Sequence, residues 1–262
     1  MSDEAVKLVI DDTGIAWLTL NRPEVHNALN GEMITALTDT FLRLGEDASV
    51  VAVVLAGEGK SFSAGADLKR SRERADLTLE DNVDDALALG RMLRALNRLP
   101  KPTLSLIHGA AIGGGVGLTA ASDMAIATED AVFALPEVRL GITPSVISPY
   151  VIAAIGQKQA RRYFLTGERF SPDEAMRIGL INEVVPTDRL RDAAAVILDN
   201  ICQNGPQALA ESKDLIFSIS GRPIDESVMG ETANRIARVR ISEEGKEGIS
   251  AFLEKRKPVW KR

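Results

Sequence analysis

Apolar and polar positions alternate over residues 6–10 and 15–20, which predicts two strands. Asp11-Asp12-Thr13-Gly14 between them reads as a hairpin turn. Ile34, Leu37, Phe41 and Leu44 recur at helical spacing and predict a helix over 32–44. Continuous apolar runs at 50–56 and 103–107 read as strands buried on both faces. Leu89, Met92, Leu93, Leu96 and Leu99 form a second helical stripe, stopped by Pro100 and Pro102. The polar segment 69–85 reads as a mobile loop or short helix. Residues 109–117 form a glycine-rich turn leading into a helix at 117–122, and short strands are expected at 124–127 and 132–133.

From Ser145 onward the pattern is helical. Ser171-Pro172-Asp173-Glu174 has the order of a helix start, a serine cap with proline at the first position, and Gly179 is the matching stop. Further amphipathic helices are expected at 187–202, 206–218, 224–241 and 243–255. The fold class is therefore α/β in the first half with a helical remainder.

The chain has 262 residues, 45% of them hydrophobic and 26% charged, so it can supply a sizeable core and is not disordered overall. The net charge of −6 argues against a nucleic-acid partner. The apolar stretch near 102–121 is interrupted by Ser105, His108 and glycines, which argues against a membrane span. The acidic N-terminus lacks signal-peptide order, and the lone Cys202 leaves no internal disulfide or cysteine-based zinc site, so a cytoplasmic location is expected. Two histidines, His26 and His108, are too few for a histidine-rich metal site, and no metal is expected.

Two strands end in small residues: Ala64-Gly65-Ala66-Asp67 and Gly113-Gly114-Gly115-Val116-Gly117. Such loops allow close approach of a ligand to the backbone, and free N–H groups at a helix start favour negative charge. Two of them can aim two amides at one developing oxyanion, each contributing about 3–4 kcal/mol. The same glycines also suit plain tight turns, and 115–120 formally match a dinucleotide-binding pattern, though without the acidic residue that pattern needs further on.

The sequence resembles the enoyl-CoA hydratase/isomerase (crotonase) superfamily. The resemblance is carried by Leu20-Asn21-Arg22-Pro23, Asn27-Ala28-Leu29, the run from Lys60 to Leu68, Gly113-Gly114-Gly115, the run from Phe133 to Gly141, Leu165-Thr166-Gly167 and Gly179-Leu180, in family order over nearly the whole chain. It implies a crotonase-like spiral of ββα units over 1–195 and a C-terminal helical oligomerisation region over 196–262, assembled as a homo-oligomer, a trimer or a dimer of trimers. It also implies an acyl-CoA substrate, with CoA part of the substrate and no separate cofactor. By position, the oxyanion donors are the amides of Ala66 and Gly114. Arg22, Val25, Ala64, Asp67, Leu68 and Gly117 line the substrate site, and Phe252 and Lys255 approach the nucleotide end.

Hydratases of this family pair two glutamates. The second is Glu137 here, in an apolar neighbourhood where burial suits it to proton transfer. The first position is Gly117. Ser145, Ser148 or Tyr150 could supply a hydroxyl instead, or only cap and fill the following helix. The runs 113–118, 147–151 and 160–163 resemble the bacterial methylglutaconyl-CoA and carboxygeranoyl-CoA hydratases, whose substrates carry a second carboxylate. Lys69, Arg70, Arg72 and Arg74 are candidate partners for it. The expected function is an acyl-CoA hydratase/dehydratase acting at the 2,3-double bond. The alternatives are a 3,2-enoyl-CoA isomerase working through Glu137 alone and a non-catalytic acyl-CoA-binding protein.

Overall fold

The computed structural model describes residues 4–67 and 78–261. Its main sheet has six strands in the order β1-β2-β3-β4-β6-β9. These are β1 (Val6–Ile10), β2 (Ile15–Leu20), β3 (Ala52–Gly57), β4 (Thr103–Ile107), β6 (Met124–Thr128) and β9 (Glu183–Val185). Only β1 and β2 pair antiparallel, with Leu8 opposite Leu18; the other neighbours are parallel. A smaller sheet joins β5 (Ala110–Ile112), β7 (Val132–Ala134) and β8 (Arg169–Phe170).

Parallel strands are covered on both faces, and the alternation along each strand sorts its residues into two cores. Leu18, Leu20, Val53, Leu55 and Ile107 join the larger core, with α1 (Gly31–Glu46) and α2 (Leu79–Asn97). Ile15, Ala52, Val54, Leu104 and Leu106 join the other, with Ala194, Leu198 and Ile201 of α6 (Leu190–Cys202). The boundary expected between 195 and 196 thus falls inside a helix that packs as one piece on the sheet.

The chain repeats one plan: a strand in the main sheet, a short strand or bridge in the second layer, then a helix. After β3 the bridging residues are Ser63 and Ala66, which pair with Ala111 and Leu29, and α2 follows. After β4 come β5 and α3 (Gly114–Ala121); after β6 come β7, a 3-10 turn over Glu137–Leu140 and α4 (Ser148–Thr166). The expected spiral of ββα units is present. The remaining helices are α5 (Pro172–Arg177), α7 (Pro206–Ile219), α8 (Glu226–Ile241) and α9 (Glu243–Leu253).

Helix α2 differs from expectation. It begins at Leu79, capped by Thr78, whose side chain accepts from Asp81 N–H while Asp81 accepts back. This capping box decides between the two expected readings of the polar segment, mobile loop or short helix, in favour of helix from Leu79 onward. Leu68, Lys69, Arg70, Arg72 and Arg74 lie outside the described residues.

Candidate active site

The site lies where the second layer meets the N-terminus of α3. Leu29 N–H donates to Gly65 O at 2.7 Å, and Asp67 N–H donates to Leu29 O at 3.2 Å. A parallel pairing of this kind turns the amide of the residue between, Ala66, to the opposite side. There it has no acceptor among the described residues. Gly114 is the first residue of α3, so its amide has no acceptor within the helix, and it too has none among the described residues. The two segments are packed against each other. A β-carbon on Gly65, whose φ is +84°, would stand 3.2 Å from Gly114 N, and one on Gly114 would stand 3.6 Å from Gly65 Cα. Glycine at 65 is what lets the two segments pack this closely, since a β-carbon there would also stand 2.5 Å from Ile112 O.

Both amides border a cavity of about 350 Å³ whose apolar wall includes Leu29, Ile34, Leu89, Ile142, Val146 and Ile147. Ala64 and Glu137 also line it. Glu137 opens the 3-10 turn that Gly141 closes in left-handed conformation. Its Oε2 is buried with no hydrogen-bond partner among the described residues. Burial pushes its carboxyl above the usual glutamate range. A buried carboxyl with one unpartnered oxygen, in the same cavity as two free amides, is an arrangement for moving a proton next to a carbonyl that gains negative charge.

The other expected residues divide. Arg22 does not line the cavity: its Nη2 contacts Asp67 Oδ2 at 3.2 Å and its Nη1 donates to Ala28 O at 2.7 Å. Asp67 and Val25 are likewise absent from the cavity wall. Arg22 and Asp67 tie the segment that carries Ala66 to the 22–28 loop. Buried Asn27 completes the brace, accepting from Arg22 N–H at 2.8 Å and donating to Glu58 O and Ser61 O. Gly117 is buried beneath Ile147, which lines the cavity beside it. Phe252 is 82% exposed, and Lys255 follows α9; neither borders the cavity of its own chain. Leu68 lies outside the described residues.

Of the candidate hydroxyls, Ser145 lines the cavity, hydrogen-bonded to Thr143, whereas Ser148, the first residue of α4, donates to Ser145 O at 2.8 Å. Tyr150 faces away from the cavity, its hydroxyl pushed up by burial. The histidines hold loops: His26 Nδ1 is 3.0 Å from Ser61 Oγ and His108 Nε2 is 2.9 Å from Gly59 O. No cluster of metal-ligating side chains occurs among the described residues.

Sequence reasoning missed Asn82 and Asp85, which line the cavity with Ala86 and Leu89. Their spacing of three and four places all of them on one face of α2. That stripe was readable, had the helix been extended toward its N-terminus.

Residues 11–262 match the family described as enoyl-CoA hydratase/isomerase. The chain belongs to this family. Among its relatives is the short-chain-enoyl-CoA hydratase of Clostridium acetobutylicum, 34% identical over 257 residues, or 97% of each chain. Another is the carnitinyl-CoA dehydratase of Salmonella paratyphi A, 32% identical over 260 residues, covering 94% of this chain and 95% of that one. The crystal structure of an enoyl-CoA hydratase from Shewanella pealeana superposes with a TM-score of 0.95 at 41% identity, over 99% of this chain and 97% of that one. The architecture is thus the crotonase fold, and in this family member the two free amides and Glu137 occupy one cavity.

Proposed function

We propose that this enzyme adds water across the 2,3-double bond of an enoyl-CoA thioester, or removes it. The observation that carries the proposal is the buried carboxyl of Glu137 in a cavity that also holds the unbonded amides of Ala66 and Gly114. The thioester oxygen accepts from both amides. Water oxygen bonds to C3, the C2–C3 π electrons move toward the thioester, and C2 takes the proton from the Glu137 carboxyl. The water's own proton passes to that carboxylate, which restores it. The raised carboxyl suits the protonated form this step requires. Only water and protons are exchanged, so no separate cofactor is proposed; CoA belongs to the substrate.

A second reading, 3,2-enoyl-CoA isomerase, is favoured by one observation: Ile147 fills the room beside Gly117, where a second carboxylate would stand. In that reaction Glu137 takes the C2 proton and returns it to C4. Product analysis separates the two. Crotonyl-CoA should yield 3-hydroxybutyryl-CoA; double-bond migration in a 3-enoyl-CoA without any alcohol product would replace hydratase by isomerase. A third outcome, tight CoA binding with no turnover of either substrate, would make the protein a binding homologue.

The narrower assignment, methylglutaconyl-CoA, rests on the sequence resemblance and on the basic run Lys69, Arg70, Arg72 and Arg74. Asp85 in the cavity wall does not attract a second carboxylate, so this substrate belongs in the panel beside crotonyl-CoA. Assembly as a trimer or a dimer of trimers is proposed from exposed apolar side chains on and beside α8 and α9, among them Ile241, Phe252, Leu253 and Val259. A membrane partner is not proposed: no helix among the described residues is long and apolar enough to cross a bilayer. A nucleic-acid partner is not proposed either, and a cytoplasmic location is.

A further inference from the structure

Gly117 lies one turn beyond Gly114 in α3, and so on the same helix face. A β-carbon at 117 would overlap Ile147 Cγ2 and come within 3.0 Å of Ile147 Cβ, with Leu93 Cδ1 at 3.9 Å behind. Ile147 is only 3% exposed, yet it lines the same cavity as Gly114 and Glu137. Its carbonyl accepts from Tyr150 N–H and Val151 N–H, both at 3.1 Å, which fixes it at the start of α4. The side chain is therefore a wedge, its back on the helix that carries one oxyanion donor and its front in the cavity.

We propose that Ile147, seated on Gly117, is the specificity-determining residue that sets how much acyl bulk the site admits, so that the preferred substrate is a short enoyl-CoA. The proposal rests on the acyl-CoA reading above. Interiors packed this closely do not yield by small displacements, so an acyl chain that needs the Ile147 volume is excluded rather than squeezed in. In an apolar pocket each additional methylene discriminates by roughly tenfold or more. Truncation to alanine removes three carbons from the wall.

The test compares kcat/KM for crotonyl-CoA and 2-octenoyl-CoA in the wild type, Ile147→Val and Ile147→Ala. The octenoyl-to-crotonyl ratio should rise about tenfold or more in the alanine variant, with valine between. A folded Ile147→Ala with an unchanged ratio overturns the proposal. Should the alanine variant fail to fold, Ile147→Val decides alone: its ratio must move the same way. A second measurement tests the wedge itself. Gly117→Ala should lower Tm in the wild type and much less in the Ile147→Ala background, which removes the Cγ2 carbon it would meet; equal losses would mean the two residues are not coupled. If wild-type protein neither binds CoA nor turns over any enoyl-CoA, the acyl-CoA reading fails and the specificity claim with it. That result is distinguishable, because it leaves the stability coupling between 117 and 147 intact.

Discussion

Glu137 Oε1 lies 2.8 Å from the point where a β-carbon on Gly113 would stand. Gly113 has a φ of +49°, so it is glycine for two reasons: the backbone conformation and the carboxyl above it. Gly113→Ala should displace Glu137 and strain the turn into α3. We expect kcat to fall by about 10–100-fold and stability to drop by about 1–3 kcal/mol. Steady-state kinetics and thermal unfolding on one preparation check both. An unchanged kcat would show that this contact does not hold the carboxyl in place.

Glu137→Gln should cost two or more decades in kcat while leaving CoA affinity intact. The same variant should be more stable than the wild type at neutral pH. Burial raises the folded-state carboxyl above its ordinary value of 4.5, so the native state holds a proton that the unfolded chain releases. Stability is therefore lost as pH rises through the folded value. Glutamine carries no charge to bury, so its advantage should grow as pH rises from the ordinary value of 4.5 to the folded value, hold constant above it, and vanish below about pH 4. Denaturant titrations at acid and neutral pH read the difference; a pH-independent gap would argue against a buried ionisable carboxyl.

Arg22 braces the oxyanion strand from behind rather than lining the cavity, and its side chain and that of Asp67 are 19% and 14% exposed. Arg22→Ala should destabilise by about 1–3 kcal/mol, since it leaves a half-buried carboxylate and the Ala28 carbonyl short of a partner. Because Ala66 sits beside Asp67, kcat should fall more than CoA affinity does. The opposite split, weaker CoA binding at unchanged kcat, would place Arg22 on the substrate.

Tyr163 donates to Glu174 Oε1 at 2.5 Å, and Arg177 grips the same carboxylate from α5. Arg177 and Tyr163 hold Glu174 down at about 2, while burial and the adjacent carboxylate push Tyr163 up to about 12. A lowered carboxyl contributes stability that is present above its ordinary value of 4.5 and is lost as pH falls toward about 2. Tyr163→Phe should cost about 1–2 kcal/mol at neutral pH, and this penalty should shrink across that acid window. Parallel acid titrations of the two proteins would show the convergence; a constant offset would assign the loss to packing alone.

Periodicity made the helix over α1 and the buried strands β3 and β4 legible, because their residues report one or two buried faces directly. It left residues 79–85 open between loop and short helix, because helix formation there depends on the Thr78–Asp81 box and on packing, not on an apolar stripe. The positions of Ala66, Gly114 and Glu137 within the site came from the family resemblance, whereas the two small-residue loops were legible as local signals. The Ile147 wedge was not. It depends on a contact between two helices, and no pattern within either segment announces it. Arg22 and Asp67 were each placed along the substrate site by the resemblance, but only the fold shows that they face each other.

The bridge between Leu29 and Ala66 has a parity. Shifting the Ala64–Asp67 strand by one residue in either direction would rotate the Ala66 peptide toward Leu29 and consume its hydrogen, leaving the thioester with a single donor. The proposed reaction therefore depends on an odd-or-even choice made in backbone pairing, with no side chain of the paired residues taking part. Insertions or deletions between positions 60 and 66 should be far more damaging to turnover than point changes at the same places.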